Sequence, residues 1–310
     1  MSTAAAQSSS PRTSLRLIAA DIKLAHSVFA LPFAVLAAFI AQVASGLSWV
    51  SFGGKFALIL VCMVTARTWA MLVNRLADRG FDAQNPRTQR RVFAAGRLSA
   101  AQGWGVALAC AAVFIAACGG FRLLYDNWWP IALSVPVLGW IALYSYTKRF
   151  TALCHVFLGT SLAIAPLAAA LAVWPEALRT TPSLWWIAGF VVAWVAGFDV
   201  IYALQDEGFD KGRGLRSIPA ALGSAGARAV SIFLHLGAGA ALIMAWRSHA
   251  SFGPLLGAGV VAVLALLVTE HVIVYRGARR GLAGLNMAFF TLNGVVSCVL
   301  GALGVADLFF

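Results

Sequence analysis

Acidic side chains are scarce in this sequence: 11 Asp and Glu stand against 23 Lys and Arg in 310 residues. Charged residues of both signs make up only 11% of the chain, hydrophobic ones 61%, and mean hydropathy is +0.85. Soluble domains average about 25% charged and about 45–50% apolar residues, so the shortage of charge excludes an ordinary soluble fold. Cysteine is sparse as well. Cys62, Cys110, Cys118, Cys154 and Cys298 lie scattered in apolar segments, which excludes thiolate metal spacing and a disulfide framework. They read as small interior residues. A signal peptide is not indicated either, because the first apolar run is too long and lacks a convincing cleavage site.

What the chain has is apolar length. A membrane-spanning helix needs about 20 predominantly apolar residues. Nine stretches meet that length, near 24–44, 54–74, 103–121, 128–147, 152–174, 184–204, 227–246, 252–275 and 284–306. The expected fold is an all-α polytopic membrane protein, a single bundle of about nine helices. Residues 1–20 read as a disordered polar tail and 21–310 as one transmembrane domain.

Basic residues concentrate in alternate links: Arg12, Arg16 and Lys23; then Arg75 to Arg97; Lys148 and Arg149; Lys211 to Arg228; and Arg276, Arg279 and Arg280. The positive-inside rule puts these links and the N-terminus on the cytoplasmic side, and nine spans put the C-terminus outside. A bacterial inner membrane is the expected location. The net charge of +12 follows helix ends on one leaflet, where it anchors to anionic lipid. It does not form a nucleic-acid surface.

Against this background one phrase occurs twice. Residues 76–82 read Leu-Ala-Asp-Arg-Gly-Phe-Asp and residues 204–210 read Leu-Gln-Asp-Glu-Gly-Phe-Asp. Each copy ends an apolar run, at the expected cytoplasmic ends of helices 2 and 6, and offers two carboxylates at i and i+4: Asp78 with Asp82, Asp206 with Asp210. On a helix such residues share a face. Asn74, Asp78 and Asp82 extend to an i, i+4, i+8 row; Asp199, Tyr202, Asp206 and Asp210 continue a similar face. The step of four spans from helix 2 to helix 6 gives the copies one orientation, as in a parallel repeat. Asp199 lies inside an apolar helix, where an acid costs about 2.5–3.5 kcal/mol, so it should face a polar cavity or a partner.

Ligand oxygens without His or Cys suit a hard cation, magnesium before calcium or zinc. Magnesium takes one or two carboxylates and shares the rest of its shell with water and phosphate. Arg75, Arg79, Lys148, Arg149, Lys211 and Arg213 stand near enough in sequence to neutralise phosphate oxygens. A diphosphate head at the rim of a greasy bundle, with its hydrocarbon tail among the helices, implies a polyprenyl diphosphate. Its departure would leave an allylic cation among aromatic rings, for an acceptor oriented by Asp199, Tyr202, Tyr144 or Tyr146.

The set Asn74-x-x-x-Asp78-x-x-x-Asp82 with Asp199-x-x-Tyr202-Ala203-x-x-Asp206-x-x-x-Asp210 resembles the UbiA-type intramembrane aromatic prenyltransferases. The resemblance covers nearly the whole chain, including Tyr-Ser-Tyr-Thr-Lys-Arg at 144–149. It implies that Asp78, Asp82, Asp206 and Asp210 hold magnesium. It further implies that Asn74, Arg79, Lys148 and Arg149 bind the diphosphate and that Asp199 and Tyr202 are catalytic. Two positions depart from the common pattern: Arg75 replaces an acid after Asn74, and Arg91-Val92-Phe93 replaces Arg-Pro-Leu. The stretches from His26 to Phe33, Asn74 to Leu76 and Asn85 to Thr88 look like the 4-hydroxybenzoate polyprenyltransferase-like branch. That branch includes enzymes thought to prenylate 1,4-dihydroxy-6-naphthoate in the futalosine route to menaquinone. The expected reaction is therefore magnesium-dependent polyprenyl transfer to an aromatic carboxylate in respiratory quinone synthesis, with benzoate or naphthoate as acceptor.

Other residues carry plainer expectations. His26 and His155 read as interfacial, while His235, His249 and His271 read as structural. The tryptophans read as an aromatic belt, and Asn286 and Asn293 as hydrogen bonds between helices. Arg67, within a span, either pairs with an acid such as Asp199 or meets the diphosphate. A cation-coupled carrier is the rival class, but its acids would belong near mid-membrane on broken helices.

Overall fold

A computed structural model describes residues 11–22, 29–278 and 291–310. Lys23, His26, Arg279, Arg280 and Asn286 lie outside the described residues, as does the start of the tail. The elements are α1 (Pro11–Ile22), α2 (Leu31–Ser45), α3 (Trp49–Ala77), α4 (Arg79–Asp82), α5 (Ala100–Tyr125), α6 (Trp129–Thr147) and α7 (Cys154–Val173). They continue as α8 (Ala177–Thr180), α9 (Pro182–Ala203), α10 (Glu207–Gly212), α11 (Ile218–Arg247), α12 (Pro254–Ala278) and α13 (Asn293–Asp307). Among the described residues seven helices are long and apolar enough to cross a membrane: α3, α5, α6, α7, α9, α11 and α12. The first and last expected spans correspond to α2 and α13, each described over 15 residues, or roughly 22 Å at helical rise.

Local chemistry sets the helix starts. Ser48 accepts from the Val50 amide to cap α3. Ser99 and Gln102 form a reciprocal capping box on α5, and Ser217 caps α11 through the Ala220 amide. Such caps are worth about 1 kcal/mol each. The first turn of α12 is capped from elsewhere: Asp307 Oδ2, at the end of α13, accepts from the Gly253 and Leu256 amides at 2.7 and 2.8 Å.

The axis of the bundle is α9, which packs most extensively against α11 and α7. Leu184, Phe190, Val191, Trp194, Val195, Phe198 and Ile201 are all buried along it. Small residues permit the close approach, as is usual where lipid supplies no hydrophobic drive. A Cβ on Gly159 of α7 would stand 2.4 Å from the Val192 carbonyl of α9. Alternation of the long helices defines two ends. One end joins the start of α3 to the end of α7 through Lys55 Nζ and the Val173 carbonyl at 2.8 Å, and exposes Trp49, Trp128, Trp129 and Trp185. The other joins the end of α3 to the end of α6, where Arg149 Nη2 donates to the Ala77 carbonyl at 2.7 Å.

The expected disordered tail needs correction over residues 11–22. They form α1, whose Ile18 is buried against Leu72, Leu76 and Val92, while Arg16 stays exposed. Average polarity hid an amphipathic pattern.

Candidate active site

Both acidic phrases break their helices in the same way. α3 stops at Ala77, and Asp78 (φ −94°, ψ 3°) separates it from α4. α9 stops at Ala203, and after one 3-10 turn Asp206 (φ −104°, ψ 3°) leads into α10. The expected rows of acids along unbroken helices are therefore interrupted at Asp78 and at Leu204–Asp206. Neither Asp78 nor Asp206 caps the following helix with its side chain, and a helix-weakening glycine, Gly80 or Gly208, stands two residues on in each copy.

The two phrases then meet through the segment after the first. Asn85 Nδ2 and Arg87 Nε both donate to Asp206 Oδ1 at 3.0 Å, and Arg87 Nη2 contacts Asp206 Oδ2 more closely still. Arg87 Nη1 also donates to the Tyr202 hydroxyl at 3.0 Å, with the guanidinium carbon 5.2 Å from that ring's centroid. Arg91 Nη1 donates to both Asp82 oxygens at 2.8 and 2.9 Å. From the end of α6, Lys148 Nζ lies 3.5 Å from Asp210 Oδ1 and Arg149 Nη2 lies 3.6 Å from Asp78 Oδ1. Asn74 Nδ2 donates to Asp78 Oδ2 at 3.3 Å.

Charge and burial oppose each other here. Burial pushes the Asp78 carboxyl above its ordinary range, against the pull of Lys148. Burial alone would lower the Lys148 ammonium, but Asp210 and then Asp78 hold it above its usual value. Arg87 is raised likewise, with its bond to Asp206 outweighing burial.

Among the described residues no three His, Cys, Asp or Glu side chains form a ready-made metal cluster. The acids are instead distributed on both sides of the site. The Oδ2 atom of Asp210 is buried without a hydrogen-bond partner. A hard cation that takes one or two carboxylates and completes its shell from phosphate fits this all-oxygen, divided set.

A cavity of ≈ 940 Å³ runs into the bundle from Asn74, Arg91 and Tyr202, which contact Asp78, Asp82 and Arg87. Asn74, Arg75, Tyr144, Asp199 and Tyr202 line its polar end, and Ile59, Phe114, Leu133, Leu158 and Phe198 line its apolar stretch. It reaches Trp129, Pro175, Leu178 and Arg179 at the opposite end of the helices. Asp199 meets both conditions expected of it, because it lines the cavity and its Oδ2 lies 2.7 Å from His155 Nδ1. His155 is 2% exposed and not interfacial.

Not every expected residue joins the site. Arg79 is exposed on α4 and makes no ion pair among the described residues, Asp78 being met by Arg149 instead. Lys211 is tied to Glu207 at 2.8 Å, one turn away on α10. Arg67 lines the cavity but forms no ion pair among the described residues, since Asp199 is held by His155. Asn85, Arg87, Arg91, His155 and Asp21 were not singled out for the site from sequence. Asp21, at the end of α1, accepts from the Val92 amide at 3.0 Å and lies 3.4 Å from Arg75 Nε. Arg75 in turn donates to Asn74 Oδ1 at 3.1 Å. The sequence carried a signal for Asn85 and Arg87, in the stretch Asn85-Pro86-Arg87-Thr88, and for Arg91 in the departure at Arg91-Val92-Phe93.

A large, mostly apolar chamber beside acids interleaved with arginine and lysine defines the class: an α-helical membrane protein with a polar site at one end of its bundle. The UbiA prenyltransferase family matches residues 30–302, and the chain belongs to that family and is a prenyltransferase. It is 29% identical over 234 residues to a 4-hydroxybenzoate octaprenyltransferase of Azotobacter vinelandii, covering 74% of this chain and 76% of that one. The apo structure of a UbiA homologue from Aeropyrum pernix K1 superposes with TM-score 0.79 and 29% identity, covering 91% of this chain and 98% of the other. A UbiA homologue from Archaeoglobus fulgidus, solved with GPP and Mg2+, has the same fold at TM-score 0.65 and 18% identity, with 95% and 99% covered.

Proposed function

We propose that this protein transfers a polyprenyl group from polyprenyl diphosphate to an aromatic carboxylate such as 4-hydroxybenzoate, with magnesium, in respiratory quinone synthesis. The observation that carries this reading is the meeting of the two acidic phrases, backed by Arg87, Lys148 and Arg149, beside an apolar cavity lined by their neighbours Asn74, Arg91 and Tyr202. Asp78, Asp82, Asp206 and Asp210 would hold the metal, which when bound offsets the negative charge of the departing diphosphate. Asn74, Lys148 and Arg149 contact these acids and stand ready for phosphate oxygens. Tyr202 and Asp199 face the cavity where the prenyl carbon and acceptor would meet.

The acceptor's carboxylate has a natural partner in Arg67. It lies seven residues before Asn74 on α3, about 10 Å further into the bundle, and is free of ion pairs among the described residues. A guanidinium there suits a planar carboxylate. The relatives' names favour a benzoate, and 1,4-dihydroxy-6-naphthoate is the competing acceptor. The basic links favour a bacterial inner membrane, nine spans, a cytoplasmic site and N-terminus, and an outside C-terminus. The acids sit at helix ends, which disfavours an ion-coupled carrier.

Purified protein with magnesium and a polyprenyl diphosphate, offered both acceptors separately, tests this directly. Product from 4-hydroxybenzoate, absent with EDTA, supports the reading. Product from the naphthoate alone moves the enzyme to menaquinone synthesis, and product from neither rejects both acceptors.

A further inference from the structure

Asp199 lines the polar end of the cavity beside Asn74 and Tyr202, and its environment is built from three helices. Its Oδ2 meets His155 Nδ1 of α7 at 2.7 Å. The other imidazole nitrogen, Nε2, receives the Ile218 amide at 3.4 Å, from the first residue of α11. His155 is absent from the cavity wall, whereas Asp199 is part of it with 20% of its side chain exposed. An Nε2 that accepts from a backbone N–H must be unprotonated, so the ring carries its proton on Nδ1 and donates it to Asp199. His155 therefore occupies one carboxylate oxygen from behind and leaves Oδ1 for the cavity.

We propose that His155 is a positioning residue that fixes the Asp199 carboxylate as the acceptor of the proton lost from the aromatic ring. This rests on the aromatic prenyl transfer proposed above. In that reaction the C–O bond between prenyl C1 and the diphosphate breaks, and its electron pair leaves with the diphosphate. A π pair of the ring forms the new bond to C1. The hydrogen on the attacked ring carbon then leaves as a proton to Asp199 Oδ1, its bonding pair restores aromaticity, and the proton passes from Asp199 to water. Outward rotation of Asp199, which His155 prevents, would leave that proton without an oriented base.

The test compares His155→Phe, which fills the space without a donor, with His155→Asn, whose amide nitrogen stands near the place of Nδ1–H. Donor affinity is measured as binding of geranyl diphosphate with magnesium, and kcat with 4-hydroxybenzoate protonated or deuterated beside its hydroxyl. His155→Phe should bind donor as the wild type does, lose about 10- to 100-fold in kcat, within the range of general-base contributions, and show a larger isotope effect. His155→Asn should recover most of the loss. Unchanged kcat in His155→Phe, equal impairment of both variants, or loss of donor binding in both would each overturn the proposal. Absence of aromatic product from the wild type would instead reject the proposed function itself.

Discussion

Arg87 grips both carboxylate oxygens of Asp206 from 119 residues away in the chain. A side chain following the first acidic phrase thereby holds the first acid of the second. In this state the site neutralises itself, with Arg87 on Asp206, Arg91 on Asp82 and Lys148 on Asp210. On the proposed function, binding of a diphosphate with its metal would require some of these pairs to open.

Arg87→Ala should therefore act on donor binding before chemistry. We expect the KM for polyprenyl diphosphate to rise about 10-fold, the scale of one or two charged hydrogen bonds. Residues 83–98 should also become more sensitive to protease, because Asp206 no longer anchors them. Steady-state kinetics and limited proteolysis check both effects.

Asp78→Ala and Asp206→Ala should each abolish turnover while leaving the bundle inserted and monodisperse in detergent. The expected loss exceeds about 100-fold, since a group acting in a unit costs nearly as much as the whole unit. EDTA should reproduce the loss in the wild type, and added magnesium should reverse it. Activity near the wild-type level in either variant would move the diphosphate site elsewhere.

Arg67→Ala should raise the KM of a carboxylate acceptor while leaving that of the donor unchanged. A bidentate guanidinium–carboxylate contact is worth on the order of 1.5–3 kcal/mol, or roughly 10- to 100-fold. The methyl ester of 4-hydroxybenzoate should be affected much less by the substitution. Equal effects on acid and ester would remove Arg67 from acceptor recognition.

Gly159→Ala should destabilise the protein by forcing α7 away from α9. Its new methyl group would meet the Val192 carbonyl at 2.4 Å, and overpacking of this kind costs about 1–3 kcal/mol. Thermal unfolding in detergent should shift downward by several degrees.

Much of the fold was legible in the sequence because apolar length and charge alternation are one-dimensional signals. The repeated phrase was legible for the same reason, and the structure brings its two copies together through Asn85 and Arg87. The interruptions at Asp78 and at Leu204–Asp206 were not, because no proline marks them. Arg79 looked well placed only on the assumption of a continuing helix. Arg87 takes the place beside Asp206 through the path of residues 83–98, which no periodicity encodes. Asp21 and His155 likewise gain their partners from Arg75, Val92 and Asp199, residues remote in the chain.

The cavity running the length of the bundle has a consequence for what sets affinity. A prenyl tail that leaves the bilayer for this chamber exchanges one hydrocarbon environment for another, and lipid is as apolar as leucine. Little free energy is gained per added isoprene unit. For the proposed donor, affinity would then come mainly from the diphosphate head with little preference for tail length, and the relevant concentration would be its surface density in the membrane and not its amount per volume of water. An enzyme of this build works as a two-dimensional catalyst, whose apparent KM varies as lipid dilutes the donor within the bilayer.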